Sequence, residues 1–398
     1  MGKNEEIEEI IKKIEDSKIE GDFIKTQENL EKILDLDSEN KEIKNQLSHI
    51  FFINGEIKKS EILVNELLAT YPKDIELLKL NALINYNYKN YKKVINLYRT
   101  ILDINDKEID AYIDITRIYD EIGDYDQVTN YSKKGLKFDK NNVSLLNNLA
   151  AGLIYKEQFK DAFDCIRRID DLDPINRISG TIGNFLKEQL NNNYKFKFIN
   201  SPINYVQEFK ITQKEINKSN LFNDPVKYIE KFEPEWEPKD KSTRNGFQTK
   251  SNLFSEYKSD IEIKKLTDFI ELSITKYLSE FRDSADLYIK KFPNSVLLKG
   301  WAVILKESGY QRMHNHPDGW ISGVIYIKTP NNLVADQGKI EFSTKGYKFP
   351  SINNNFSRTL LSPEKGKLIL FPSSLHHRTI PLEIKEDRVS ISFDIISN

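Results

Sequence analysis

The chain has a single cysteine in 398 residues, Cys165. One thiol excludes an internal disulfide framework and any cysteine-rich zinc site. Cys165 reads as a small buried apolar residue, and a reducing, cytoplasmic setting is the expectation. Long apolar runs are missing too, so no segment is expected to span a bilayer. The start, MGKNEEIEEIIKKIEDSK, is acidic and helical rather than a basic stretch leading into an apolar one. Gly2 lacks the Ser or Thr that a myristoylation signal carries at position 6. Net charge is nearly absent: 59 Lys and Arg against 61 Asp and Glu leave −2, with charged residues at 30%. The charges interleave without a basic block, so neither nucleic acid nor an anionic membrane is an expected partner. The oligomeric state is not legible. Histidine is scarce, at five residues. Four of them, His314, His316, His376 and His377, lie near the C-terminus, and His49 stands alone far upstream.

The length suggests two or three domains. In the first half an aromatic or aliphatic residue recurs every 34 positions, at Phe23, Ile57, Tyr91, Tyr125 and Phe159. Two residues earlier stand Gly21, Gly55, Lys89, Gly123 and Glu157. Fifteen residues later comes Ser38, Pro72, Asp106, Lys140 or Pro174. Each unit reads as helix, tight turn, helix and polar break. Glycine suits a turn position with positive φ, and Pro or Asp suits the start of the next helix. The array resembles tetratricopeptide repeats, five of them over residues 7–176. ISGTIGNFLKEQLNN would cap it, giving a repeat domain of residues 1–192. Such helix pairs stack into a superhelix with a concave groove. The resemblance implies a protein or peptide in that groove, or else a scaffold. Tyr86, Tyr88, Tyr98, Tyr112 and Tyr119 are candidates for its lining or for the core.

From about residue 193 the pattern changes. NYKFKFINSPINYVQEFKI is strand-like, and residues 260–292 read as one or two amphipathic helices. Short strands come next: VLLKGWAVILKE, WISGVIYIK, GKIEFS, GKLILFP and RVSISFDII. The expectation for residues 193–398 is an α+β domain whose strands close into a double-stranded β-helix, a jelly-roll or cupin-like barrel. The whole chain is then multidomain, an all-α superhelix followed by that barrel.

In a strand, residues i and i+2 face the same way, so His314, His316 and Asp318 share a face if the strand continues, although Pro317 argues that it ends nearby. GKLILFPSSLHH carries an apolar strand into a turn and then His376 and His377. In the last strand Arg388, Ser390 and Ser392 alternate with Val389, Ile391 and Phe393. An inward arginine calls for an anion beside it. Imidazoles in such a frame are metal-ligand candidates.

His-x-(His/Asp), a distal His-x-Thr-x-Pro and Arg-x-Ser about ten residues on are similar to the signature of iron(II)- and 2-oxoglutarate-dependent oxygenases. GYQRMHNHPDGWISGVIYI, FPSSLHHRTIP, RVSISFDI and the upstream NGFQTKSNLF resemble, within that superfamily, an uncharacterised group with a His-x-His-Pro…Ser-Gly-Val-Tyr-Tyr core. A repeat array joined to an oxygenase is also similar to prolyl-hydroxylase-type enzymes. The resemblance implies Fe(II) as cofactor and 2-oxoglutarate as cosubstrate of a dioxygenase, a hydroxylase. It implies His377 as the distal metal ligand and His376 as a surface or neighbouring bystander. Arg388, with Ser390 and Tyr326, would hold the cosubstrate's carboxylate. Two ligand registers stay open: His314 with His316, as in cupins, or His316 with Asp318, which restores two histidines and a carboxylate. Trp320 is a candidate for either the substrate pocket or the core. The alternatives are a cupin-type metalloenzyme without 2-oxoglutarate and a non-catalytic interaction protein.

Overall fold

The computed structural model describes residues 3–239, 241–331, 333–346 and 348–397, so Gly2 lies outside the described residues. The chain forms two compact units that divide between Gly152 and Leu153.

The first unit is helical. Its elements are α1 (Lys3–Glu20), α2 (Phe23–Leu36), α3 (Lys41–Ile53), α4 (Ile57–Thr70), α5 (Ile75–Asn87), α6 (Tyr91–Ile104), α7 (Ile109–Ile122) and α8 (Tyr125–Phe138). Most of α9 (Val143–Tyr155) also belongs to it. Helices α2, α4, α6 and α8 begin on the residues that recur every 34 positions, and α3, α5, α7 and α9 keep the same spacing. This is a tetratricopeptide-type array of helical hairpins. The tight turns explain the glycines: Gly21, Gly55 and Gly123 have φ of 73°, 79° and 78°. Lys89 takes the same left-handed turn at 58° without being a glycine. Several helix starts are fixed by side-chain caps, although those of α4 and α7 are not. Asn40 and Asp74 accept from the backbone N–H groups of Ile43 and Leu77. Pro72 therefore does not open a helix, as expected from its slot; it lies in the turn just before the cap. Leu78, Val94, Ile101, Ile115 and Val128 form one of the apolar layers between hairpins. Tyr98, Tyr112 and Tyr119 are buried, whereas Tyr86 and Tyr88 are exposed.

The second unit opens with α10 (Phe159–Leu172) and α11 (Arg177–Gln189), and then a 3-10 turn at Pro202–Tyr205. Then come β1 (Gln207–Lys210), α12 (Gln213–Lys218), α13 (Asn220–Asn223), α14 (Pro225–Glu230), β2 (Glu235–Trp236), β3 (Thr243–Gln248), α15 (Leu253–Glu256), α16 (Ile261–Glu280) and α17 (Leu287–Lys290). The strands β4 (Val296–Gln311), β5 (Gly319–Lys328), β6 (Ile340–Ser343), β7 (Arg358–Leu361), β8 (Lys367–Pro372), β9 (His376–Thr379) and β10 (Arg388–Ser397) complete it. Packing divides the chain well before residue 192, because α10 and α11 are held by residues on their C-terminal side. Phe163 meets Tyr194 and Phe196 edge-on. The Phe196 ring fills the space that a Cβ on Gly183 would need. Gln189 accepts from the Ile352 N–H and donates to the Asn355 carbonyl. The segment after α11 is mostly irregular rather than strand: Phe196, Phe198 and Ile199 are all buried, which breaks a two-residue alternation.

The strands form two antiparallel sheets, ordered β1-β8-β5-β10-β4-β3-β2 and β7-β6-β9. Between them sit Val324, Tyr326, Phe342, Ile369 and Phe371. The other face of the larger sheet, including Val389, Ile391 and Phe393, packs on Leu221, Ile263, Leu266 and Ile270 of the helices. This is a helix-backed two-sheet sandwich of the double-stranded β-helix type. β10 is its pivot, paired with β4 on one side and β5 on the other. Its even-numbered residues point into the space between the sheets. Among the described residues no helix is long and apolar enough to cross a membrane.

Candidate metal centre

The two sheets are stitched together at one corner. Beyond the end of β4, His314 bridges to His377 of β9 by a reciprocal pair of backbone hydrogen bonds of 3.0 and 2.9 Å. Two residues on, the His316 N–H reaches the Ser373 carbonyl at 2.9 Å. These bonds bring His314, His316 and His377 together, with one ring nitrogen of each within 4.8 Å of the others. Ring centroids are 4.4 Å apart for His314–His377, 5.1 Å for His314–His316 and 5.0 Å for His316–His377.

Each imidazole has its Nδ1 tied to an acceptor. His314 Nδ1 is 2.6 Å from the Arg312 carbonyl, and His377 Nδ1 is 3.0 Å from the Leu375 carbonyl. His316 Nδ1 contacts Asp394 Oδ1. A proton on each Nδ1 satisfies these acceptors and leaves the Nε2 lone pairs for a ligand. Ser242 Oγ lies 3.3 Å from His314 Nε2. Burial drives the His314 imidazole down to about 3, with His316 adding repulsion. Burial also holds His377 well below its ordinary value. Both are thus neutral near pH 7, the state in which imidazole binds metal. Phe371 and Phe342 flank His377, with centroids at 4.7 and 6.1 Å. Trp301 lies 5.5 Å from His316.

Asp318 is outside this group. It is exposed, and its backbone carbonyl accepts from Arg177 Nη1 at 2.9 Å. The chain leaves strand geometry after Gln311, so the alternation that would have aligned Asp318 with His316 does not hold. His376 is also outside, but it is buried rather than superficial. It points to the opposite side of β9, where it meets Phe349 edge-on at 6.0 Å, and burial pushes it down to about 4. Trp320 belongs to the core behind the large sheet, its Nε1 donating to the Tyr288 carbonyl at 2.7 Å. Cys165 is half-buried.

The inward face of β10 carries Arg388, Ser390, Ser392 and Asp394. Arg388 is 1% exposed. Its guanidinium lies 4.8 Å from the Tyr326 ring centroid, across the Ser390–Tyr326 register of β10 and β5. Arg388 Nε and Nη1 and the Tyr326 hydroxyl are buried with no hydrogen-bond partner among the described residues. Burial raises the Tyr326 hydroxyl, and Arg388 opposes that shift. A buried guanidinium with idle donors is costly unless an anion completes it. The residues present therefore fit a metal ion at the three histidines and a carboxylate at Arg388.

Asp394 was not singled out from sequence, although it continues the Arg388, Ser390, Ser392 alternation. It accepts from His316 and, at 2.6 Å, from Ser322 Oγ, which lies 2.8 Å from Ser373 Oγ. Ser322 thus braces the carboxylate that orients a candidate ligand. Its neighbour Gly323 has a separate reason: a Cβ there would lie 2.2 Å from Phe393 Cζ. Beside the histidines opens a cleft of about 710 Å³, lined by Ser242, Thr249, Lys299, Trp301, Arg312 and Asp318 among others.

A family model described as "Putative 2OG-Fe(II) oxygenase" matches residues 299–394, about a quarter of the chain. No curated protein matches the sequence. Solved structures similar to the chain include MamA, at 15% identity over 40% of this chain and 94% of that one, with a TM-score of 0.38. A tetratricopeptide repeat protein from Parabacteroides merdae ATCC 43184 is 19% identical over 47% of this chain and 74% of its own, with a TM-score of 0.42. YrrB, a TPR protein with an unusual peptide-binding site, is 13% identical over 45% and 96%, with a TM-score of 0.38. The chain joins a tetratricopeptide-type helical array to a C-terminal domain that matches the 2OG-Fe(II) oxygenase family.

Proposed function

We propose that the protein is an iron(II)- and 2-oxoglutarate-dependent dioxygenase, a hydroxylase, with His314, His316 and His377 as the metal ligands. The observation that carries the reading is Arg388: a buried guanidinium with two idle donors, beside the idle Tyr326 hydroxyl and on the same strand face as the carboxylate that orients His316. Arg388 would pair with the distal carboxylate of 2-oxoglutarate, and Ser390 and Tyr326 would add hydrogen bonds. Bound together, iron(II) and 2-oxoglutarate would let dioxygen hydroxylate an unactivated C–H bond, one oxygen atom going to the product and the other to the succinate formed as 2-oxoglutarate loses carbon dioxide. The chain's own residues hold and orient them. Asp394 fixes the His316 tautomer, Leu375 and Arg312 carbonyls fix those of His377 and His314, and Phe342 and Phe371 pack against the His377 ring.

Calorimetric titration of the iron(II)-loaded protein with 2-oxoglutarate under nitrogen tests this. We expect binding that Arg388→Ala weakens by roughly thirtyfold or more, as for truncating one partner of a buried charge pair. In air, 2-oxoglutarate should be consumed and succinate released. Failure to bind metal would sink the reading. The three-imidazole donor set, without a carboxylate, favours a second reading, a cupin-type metalloenzyme that does not use 2-oxoglutarate. It predicts metal binding with no calorimetric response to 2-oxoglutarate.

The repeat array would bind a protein or peptide, substrate or partner, on its inner face. Leu83, Arg117 and Ala151 occupy equivalent repeat positions 34 residues apart and line one cavity of about 380 Å³ with Tyr86 and Tyr98.

A further inference from the structure

The cleft beside the histidines is polar, but most of its polar groups are already committed. Gln248 Oε1 accepts from Thr243. Thr249 Oγ1 accepts from the Ala302 N–H. Asn252 caps the Gly300 N–H and donates to the Leu298 carbonyl. Asn315 donates to the Ser374 carbonyl, and Asp394 is held by His316 and Ser322. Lys250 pairs with Glu235. The charged groups that stay uncommitted are mostly cationic. Lys241, Lys299 and Arg312 are exposed, line the cleft and have no carboxylate partner among the described residues. Arg312 only approaches the Lys241 carbonyl, at 3.5 Å. Asp318 is the one exposed carboxylate among the residues that line the cleft.

The positions of the cations matter as much as their sign. Lys241 and Arg312 stand at the His314 end: His314 is bound to the Arg312 carbonyl and approaches Ser242. Lys299 stands at the His316 end, directly across β4–β10 from Asp394. The three charges therefore bracket the candidate metal ligands. A compact anion would engage one end only. A chain crossing the cleft would engage both. The cleft's volume of about 710 Å³ exceeds what one side chain needs.

Resting on the oxygenase reading, we propose that the prime substrate is an extended peptide segment with acidic residues on both sides of the residue that is hydroxylated. Lys241 and Arg312 take the acidic group on one flank and Lys299 takes it on the other. The target side chain then lies over His314 and His316, beside Trp301.

Fluorescence anisotropy on the full chain tests this by binding alone, without turnover. The probes are short labelled peptides of alternating Ser and Glu, with Ser–Gln and Ser–Lys counterparts. The Ser–Glu peptide should bind, more weakly as salt rises, and the other two should not. A triple variant, K241Q/K299Q/R312Q, should weaken it roughly ten- to hundredfold, three exposed pairs being lost. K299Q alone, which adds no charge opposite Asp394, should reduce Ser–Glu binding and leave thermal unfolding unchanged. Equal binding of the Ser–Glu and Ser–Gln peptides, or full affinity in the triple variant, overturns the proposal. So does competition in which inorganic phosphate binds at these cations and the peptide does not. Peptide binding that persists when the calorimetric response to 2-oxoglutarate is absent separates the two readings: the acidic-segment site stands and the oxygenase reading falls.

Discussion

At the scale of single residues, the centre depends on groups that touch no ligand directly. Asp394 is the foremost. It receives His316 Nδ1 and is itself braced by Ser322. Removing such an orienting carboxylate typically lowers metal affinity tenfold to a hundredfold. Asp394→Ala should therefore weaken cobalt(II) binding by roughly that factor and alter the cobalt ligand-field spectrum, while Asp394→Asn, which keeps an acceptor, recovers part of the loss. An unchanged spectrum in Asp394→Ala would remove Asp394 from the site. The histidines and Arg388 were visible in the sequence because their types and spacing are rare. Asp394 was hidden because an aspartate near a chain's end resembles any exposed charge. Only the parity of the strand, which continues through Ser390 and Ser392, marked it. Asp318 misled for the opposite reason: a good spacing counts only while the backbone remains a strand.

Among elements, the helical hairpins show how a period fixes a backbone. The left-handed turn before α6 is made by Lys89, where its counterparts before α2, α4 and α8 use glycine. Left-handed backbone costs a non-glycine residue about 1–2 kcal/mol, and glycine costs about 0.5–1 kcal/mol in chain entropy. Lys89→Gly should thus stabilise the array slightly, by about 0.5 kcal/mol. Gly55→Ala should destabilise it although nothing lies within 4 Å of the added Cβ. Chemical denaturation of the two variants checks the pair, and a destabilised Lys89→Gly would refute the strain argument. The helices were legible from the 34-residue repeat alone. The short strands β7 and β9 were not, since four residues with mixed polarity carry too little pattern. The segment after α11 was misread because its aromatic residues bury against α10 rather than alternate across a sheet.

For the molecule as a whole, the candidate centre lies where the two sheets meet, so a metal bound there would be linked to folding. Buried His314, His376 and His377 have folded pKa values below the ordinary 6.5. The unfolded state therefore takes up protons first as pH falls below about 6.5. The stability of the metal-free protein should be full above that pH and decline through pH 6 to 4, with most of the His376 contribution gone by about 4. Thermal unfolding of metal-free protein at pH 7.5 and 5 checks the sign, and a higher melting temperature at pH 5 would contradict it. Saturating metal should raise the melting temperature at neutral pH, by about 2.7 kcal/mol of added stability at a hundredfold excess over Kd. That gain should shrink in acid, where protons compete for the same nitrogens.

β10 has one further consequence. Its odd-numbered residues meet the helices, and its even-numbered residues face the space between the sheets. The two sets share a backbone but no neighbours. Exchanging Ser390 or Ser392 for another small side chain leaves the apolar layer behind the sheet intact. The strand therefore lets the apolar layer and the groups between the sheets be altered one at a time: a change on one face of β10 need not disturb the other.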